Sequence, residues 1–93
     1  MKSYEDIEKG LYSKNNPILS GGIHNKLLYK AYTTNFSGKV TDRNYMLKCY
    51  DYKSDIFYRL YFKNFGDIEF YIAYKKGLLN VGNAYKRYYG EVL

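Results

Sequence analysis

The sequence predicts an α+β fold: a small antiparallel β-meander of three or four strands, with two or three helices packed on one face. Three observations point there. Residues 44–52, 55–63 and 67–75 each alternate between two sets of side chains with the period of a strand. The connections between them, Lys53-Ser54 and Asn64-Phe65-Gly66, are short enough to force antiparallel hairpins. The flanking segments repeat their apolar residues at helical intervals. A chain of 93 residues is expected to form one domain, residues 1–93. It can bury roughly 60–65% of the surface its unfolded form exposes, which allows one modest core.

Taken in order, Ser3 can cap a first helix, with Glu5 and Asp6 in its favourable first turn. Tyr4, Ile7, Glu8 and Leu11 form its inward stripe, and Gly10 or Asn15-Asn16-Pro17 is expected to end it. Gly21-Gly22 reads as a flexible joint. Ile23, Leu27, Leu28, Ala31 and Tyr32 share one face at helical spacing, so a second helix is expected over 23–32; a strand from Lys26 to Thr34 competes with it. Ser37-Gly38 marks a turn before the three strands. After Gly77, Leu78, Val81, Ala84, Tyr85, Tyr88 and Val92 recur at helical spacing and predict a C-terminal helix, weakened by Gly82 by about 1 kcal/mol relative to alanine.

Period two sorts the strands into faces. Tyr45, Leu47, Cys49, Ile56, Tyr58, Leu60, Phe62, Ile68, Phe70, Ile72 and Tyr74 form the expected core face. The second face takes Met46, Lys48, Tyr50, Tyr52, Phe57, Arg59, Tyr61, Lys63, Glu69, Tyr71, Ala73 and Lys75, so it interleaves aromatic rings with cations. The charge has the same bias. Lys2, Lys9 and Lys14 cancel Glu5, Asp6 and Glu8, leaving the whole net charge of +6 in residues 23–93. A basic body favours acidic partners.

Catalytic chemistry is poorly supplied. His24 is the single histidine and Cys49 the single cysteine, and Cys49 sits on the core face, where a thiol acts as a small hydrophobe. No cysteine–histidine cluster suits zinc. Asp51-Tyr52-Lys53, with Asp42 before it, has the acid–x–lysine spacing of a metal nuclease but no third ligand. Neither Ser20-Gly21-Gly22 nor Ser37-Gly38-Lys39 completes a phosphate cradle. No catalytic residue, cofactor or metal is therefore expected.

The expected function is binding. Lys48, Tyr50, Tyr52, Phe57, Arg59, Tyr61, Lys63, Tyr71 and Lys75 on the second face, with Lys86 and Arg87 near the C-terminus, are the expected partner-binding residues. One reading docks tyrosine anchors on a protein, most naturally a nucleoprotein complex. The other stacks single-stranded bases on Tyr50, Tyr61 and Tyr71 while Lys48, Arg59, Lys63 and Lys75 hold phosphates. A third treats the Tyr–Lys and Tyr–Arg pairs as stabilisers of a solvated sheet.

No apolar run reaches the roughly 18 residues of a membrane span, and Met1–Asp6 is too polar to open a signal peptide. With a lone cysteine, the expectation is a soluble protein of a bacterial cytoplasm. Fourteen tyrosines, no tryptophan and many A/T-coded residues make a profile common among phage-encoded inhibitors of host machinery, anti-CRISPR proteins included.

Overall fold

The computed structural model describes residues 2–34, 43–77 and 88–92. The order of elements is α1 (Tyr4–Leu11), β1 (Leu19–Ile23), β2 (Leu27–Thr33), β3 (Tyr45–Asp51), β4 (Ile56–Phe62), α2 (Phe65–Lys75) and β5 (Tyr88–Val92). Strands β1 to β4 form an antiparallel meander, and β5 adds to the outer edge of β4, giving the sheet order β1-β2-β3-β4-β5. The α+β class and the antiparallel sheet agree with the sequence. Several elements do not.

Helix α1 forms as its sequence dictates. The Ser3 hydroxyl accepts the Asp6 N–H at 3.2 Å, and Ile7 and Leu11, one turn apart, are buried on its inner face. Gly10 does not end the helix. A Cβ there would clash with the Phe57 ring, so Gly10 lets α1 lie close against β4. Gly21, expected in a flexible joint, is instead paired within β1 opposite Tyr29, whose hydroxyl oxygen would lie 2.5 Å from a Cβ on it.

The expected helix over 23–32 is absent, and the competing strand is found as β2. Tyr29 pairs with Gly21 on one side and Cys49 on the other. The helical spacing arose because Leu27, Tyr29, Ala31 and Tyr32 are all buried, on two different faces. A strand covered on both sides loses its alternation, and its apolar positions then fit a helix as well. The turn into β2 holds Asn25 at φ 57°, a left-handed conformation that asparagine tolerates.

The opposite correction applies to 67–75. These residues form α2, with Ile68, Tyr71 and Ile72 buried at i, i+3 and i+4. Asp67 in its first turn and Lys75 in its last match the helix dipole. Of the expected C-terminal helix, Tyr88–Val92 is strand β5, with Tyr88 opposite Phe62 and Val92 opposite Tyr58. Residues 78–87, including Lys86 and Arg87, lie outside the described residues.

The helices also do not share a face. Ile68, Tyr71 and Ile72 of α2 pack on Leu27, Tyr29, Ala31, Leu47, Cys49, Leu60 and Phe62. Ile7 and Leu11 of α1 pack on Tyr50 from the other side, against Leu28, Tyr52 and Phe57. The sheet is a middle layer. One helix cannot hide two apolar faces, so the chain places one on each.

Leu60 is 4% and Ile72 6% exposed in the α2-side core. Replacing either by alanine should lower unfolding free energy by about 2–5 kcal/mol in urea melts, as loss of buried aliphatic groups does.

Candidate functional site

On the second face, strand register places side chains in three rows. Leu28, Tyr50 and Phe57 form the first, Lys30, Lys48 and Arg59 the second, and Tyr32, Met46 and Tyr61 the third. The middle row sets cations directly opposite one another, a destabilising arrangement unless acceptors are supplied. Helix α1 supplies them. Glu8 pairs with Lys30 at 3.1 Å, and Lys48 Nζ donates to the Tyr12 carbonyl at 2.8 Å. Burial, and then the nearby Arg59 charge, push the Lys48 ammonium below its ordinary pKa. Tyr32 donates its hydroxyl to the Leu11 carbonyl at 2.6 Å, satisfying the C-terminal end of the helix.

Most of the first row is therefore structural. Tyr50 has no exposed surface, with Tyr52 and Phe57 each 5.0 Å from its ring centroid. Its hydroxyl donates to Asp55 Oδ1, which also receives Lys2 Nζ at 3.2 Å. That hydrogen bond, and then burial, push the Tyr50 phenol up to about 12. The same hydrogen bond, followed by the one from Lys2, holds the Asp55 carboxyl below its ordinary value. Asp55 itself sits at φ 54° in the β3–β4 turn.

Of the expected binding residues, then, Tyr50 is buried under α1, Lys48 anchors that helix, and Phe57 is half-buried against Gly10. Tyr71 is on neither the expected element nor the expected face. It lies on α2 across the sheet, its hydroxyl 2.8 Å from that of Tyr58, with Lys75 Nζ 5.7 Å from its ring centroid. The strand assignment placed Tyr71 opposite Ile72; on a helix, adjacent residues can share the buried stripe.

At the far end of the face, in the third row, Tyr32 and Met46 are buried and Tyr61 keeps part of its surface exposed. Tyr61 is half-buried there, with the Arg43 guanidinium 4.7 Å and that of Arg59 6.0 Å from its ring centroid. Both are within the range of cation–π attraction. Lys63 is exposed just beyond β4, where its carbonyl accepts from Asn44 Nδ2 at 2.9 Å. This bond ties the start of β3 to the end of β4. Arg43 was missed by the sequence reading because it precedes β3, where no strand period assigns it a face.

The remaining sequence candidates have structural explanations. Asp51 Oδ1 accepts the N–H groups of Lys53 at 2.9 Å and Ser54 at 3.1 Å, so the acid–x–lysine spacing reflects an aspartate closing its own turn. Asp42 lies outside the described residues. Cys49 is fully buried, and burial pushes its thiol up to about 12; His24 is exposed in the β1–β2 turn. Among the described residues there is no group of three or more His, Cys, Asp or Glu side chains placed to hold a metal ion. None of their helices is long and apolar enough to cross a membrane.

Comparisons of this chain with protein families, with curated proteins and with solved structures find no match.

The Asp55 carboxylate stabilises the fold above its ordinary pKa, and the contribution is lost as pH falls through the lowered folded value. Asp55→Asn should therefore melt below the wild type at neutral pH. The difference should begin to close near pH 4, by about the ordinary aspartate pKa, and vanish in stronger acid. Thermal melts across that range check it; a constant offset would contradict the assignment.

Proposed function

We propose that this chain is a non-catalytic binding protein, of the phage or mobile-element inhibitor type, that docks on a nucleic-acid-handling protein complex. The contact surface is centred on Tyr61, at the end of the second face where β3 begins and β4 ends. The supporting observation is the Tyr61 ring flanked by the Arg43 and Arg59 guanidiniums at 4.7 and 6.0 Å. Tyrosine and arginine are the residues that carry binding energy at protein interfaces, because both offer large contact area with polar edges. Charge favours an acidic partner, since the whole net charge of +6 resides in residues 23–93.

The competing use of this face, as a stacking platform for single-stranded nucleic acid, loses support from the same geometry. Such platforms present several open rings to successive bases. Tyr50 lies beneath α1 and Tyr71 on the opposite side of the sheet, leaving Tyr61 of the three rings that reading required.

Tyr61→Ala and Arg59→Ala should each weaken partner binding by over about 1 kcal/mol, as interface anchors do, with melting temperature nearly unchanged. The check is a pull-down from host lysate with and without nuclease. A protein recovered after nuclease treatment and lost with Tyr61→Ala supports the reading. Recovery of nucleic acid alone would reject it.

A further inference from the structure

At the opposite end of the sheet, four separate segments converge. The β1–β2 and β3–β4 turns meet there, since Leu27 pairs with Asp51 and the Tyr52 N–H donates to the Lys26 carbonyl at 3.2 Å. The C-terminus of α2 joins them: Lys26 Nζ donates to the Lys75 carbonyl at 2.6 Å. The start of α1 is pinned nearby through Lys2 and Asp55. The convergence gathers Lys26, Lys53, Lys75 and Lys76, of which Lys26, Lys53 and Lys76 are exposed.

The ion pairs Lys2–Asp55 and Lys30–Glu8 involve none of these four lysines. The acids of this end are engaged elsewhere. Asp51 is used by the backbone of its own turn, and Asp55 by Tyr50 and Lys2. Some of this charge has a structural use: Lys26 caps the carbonyl end of α2, and cations there suit the helix dipole. Lys53 has no such use, being on a different turn, and Lys76 follows the last helical residue just before Gly77 turns the chain at φ 78°. Tyr74, which precedes Lys75 in α2, is 40% exposed, a ring with no place in either core cluster.

We propose that this lysine cluster is a binding site for the phosphodiester backbone of a nucleic acid. Lysine ammoniums are compact point charges that suit phosphates without demanding a fixed orientation, and a neighbouring tyrosine can stack on an exposed base. An anionic membrane is the weaker fit, because among the described residues this end exposes one large aliphatic side chain, Ile56, to enter the lipid. The site stands on its own observations and does not depend on the Tyr61 surface.

The test is fluorescence anisotropy of the purified chain with a labelled single-stranded oligonucleotide and with its duplex, titrated across salt. Two doubly neutralised variants are compared: Lys53→Gln with Lys76→Gln, and Lys9→Gln with Lys14→Gln, which removes equal charge from exposed positions around the end of α1. Circular dichroism confirms that both remain folded. The first pair should weaken binding about tenfold at low salt and reduce the slope of log K against log salt by roughly 1.4–1.8, the release expected for two phosphate contacts. The second pair should change both by much less. Equal effects of the two pairs would overturn the site, because only net charge would then matter. So would failure of the wild type to bind either oligonucleotide at about 50 mM salt. Lysine-dependent binding to anionic vesicles without binding to oligonucleotide would also overturn it. The assay contains no protein target, so its failure leaves the Tyr61 reading to its own pull-down.

Discussion

Burial of β3 on both sides is the constraint on which the rest of this structure depends. Met46 and Tyr50 are buried on one side of that strand, Leu47 and Cys49 on the other. A sheet whose middle strand is apolar on both faces must be covered twice. Helix α2 covers one face with Ile68, Tyr71 and Ile72. The other falls to α1, which has only eight residues and buries only Ile7 and Leu11. Its remaining hold is polar. Helix α1 is set over a row of cations, and Glu8 and the Tyr12 carbonyl are the acceptors that make this row tolerable.

That arrangement decides which residues remain for a partner. Aromatic and basic residues that look like a binding surface are largely consumed in fastening α1. Tyr50 and Phe57 furnish its seat, while Lys48 and Tyr32 hold its C-terminal carbonyls. Other basic residues fall at the two ends of the sheet. Tyr61 with its arginines lies at one, the four lysines at the other. The seven residues of β3 separate them by about 20 Å.

Helix α1 and the β3–β4 hairpin were legible because their signals are local. Ser3 bonds within its own first turn, and Asp51 closes its own turn with Lys53 and Ser54. The face assignment of β3 and β4 was legible too, since period two is a property of the strand alone. Strand β2 and helix α2 were exchanged in type for a common reason. In β2, burial of Ala31 and Tyr32 on opposite faces imitates a helical stripe. In α2, Ile68, Phe70 and Ile72 stand at alternate positions, and the short connection after β4 invites a hairpin, yet Ile68, Tyr71 and Ile72 are the residues that become buried. Both patterns satisfy either period over so few residues.

By itself the sequence determined the α+β class, the antiparallel hairpin at its centre, the capped first helix and the excess of positive charge after residue 22. Only the tertiary structure decided which faces are covered, and so which tyrosines and lysines stay exposed and which are packed against the protein. The reason is physical. Alternation and capping act between residues a few positions apart, whereas covering a sheet face depends on where a distant helix settles. Glu8 to Lys30, Tyr12 to Lys48 and Lys26 to Lys75 are all contacts of that second kind.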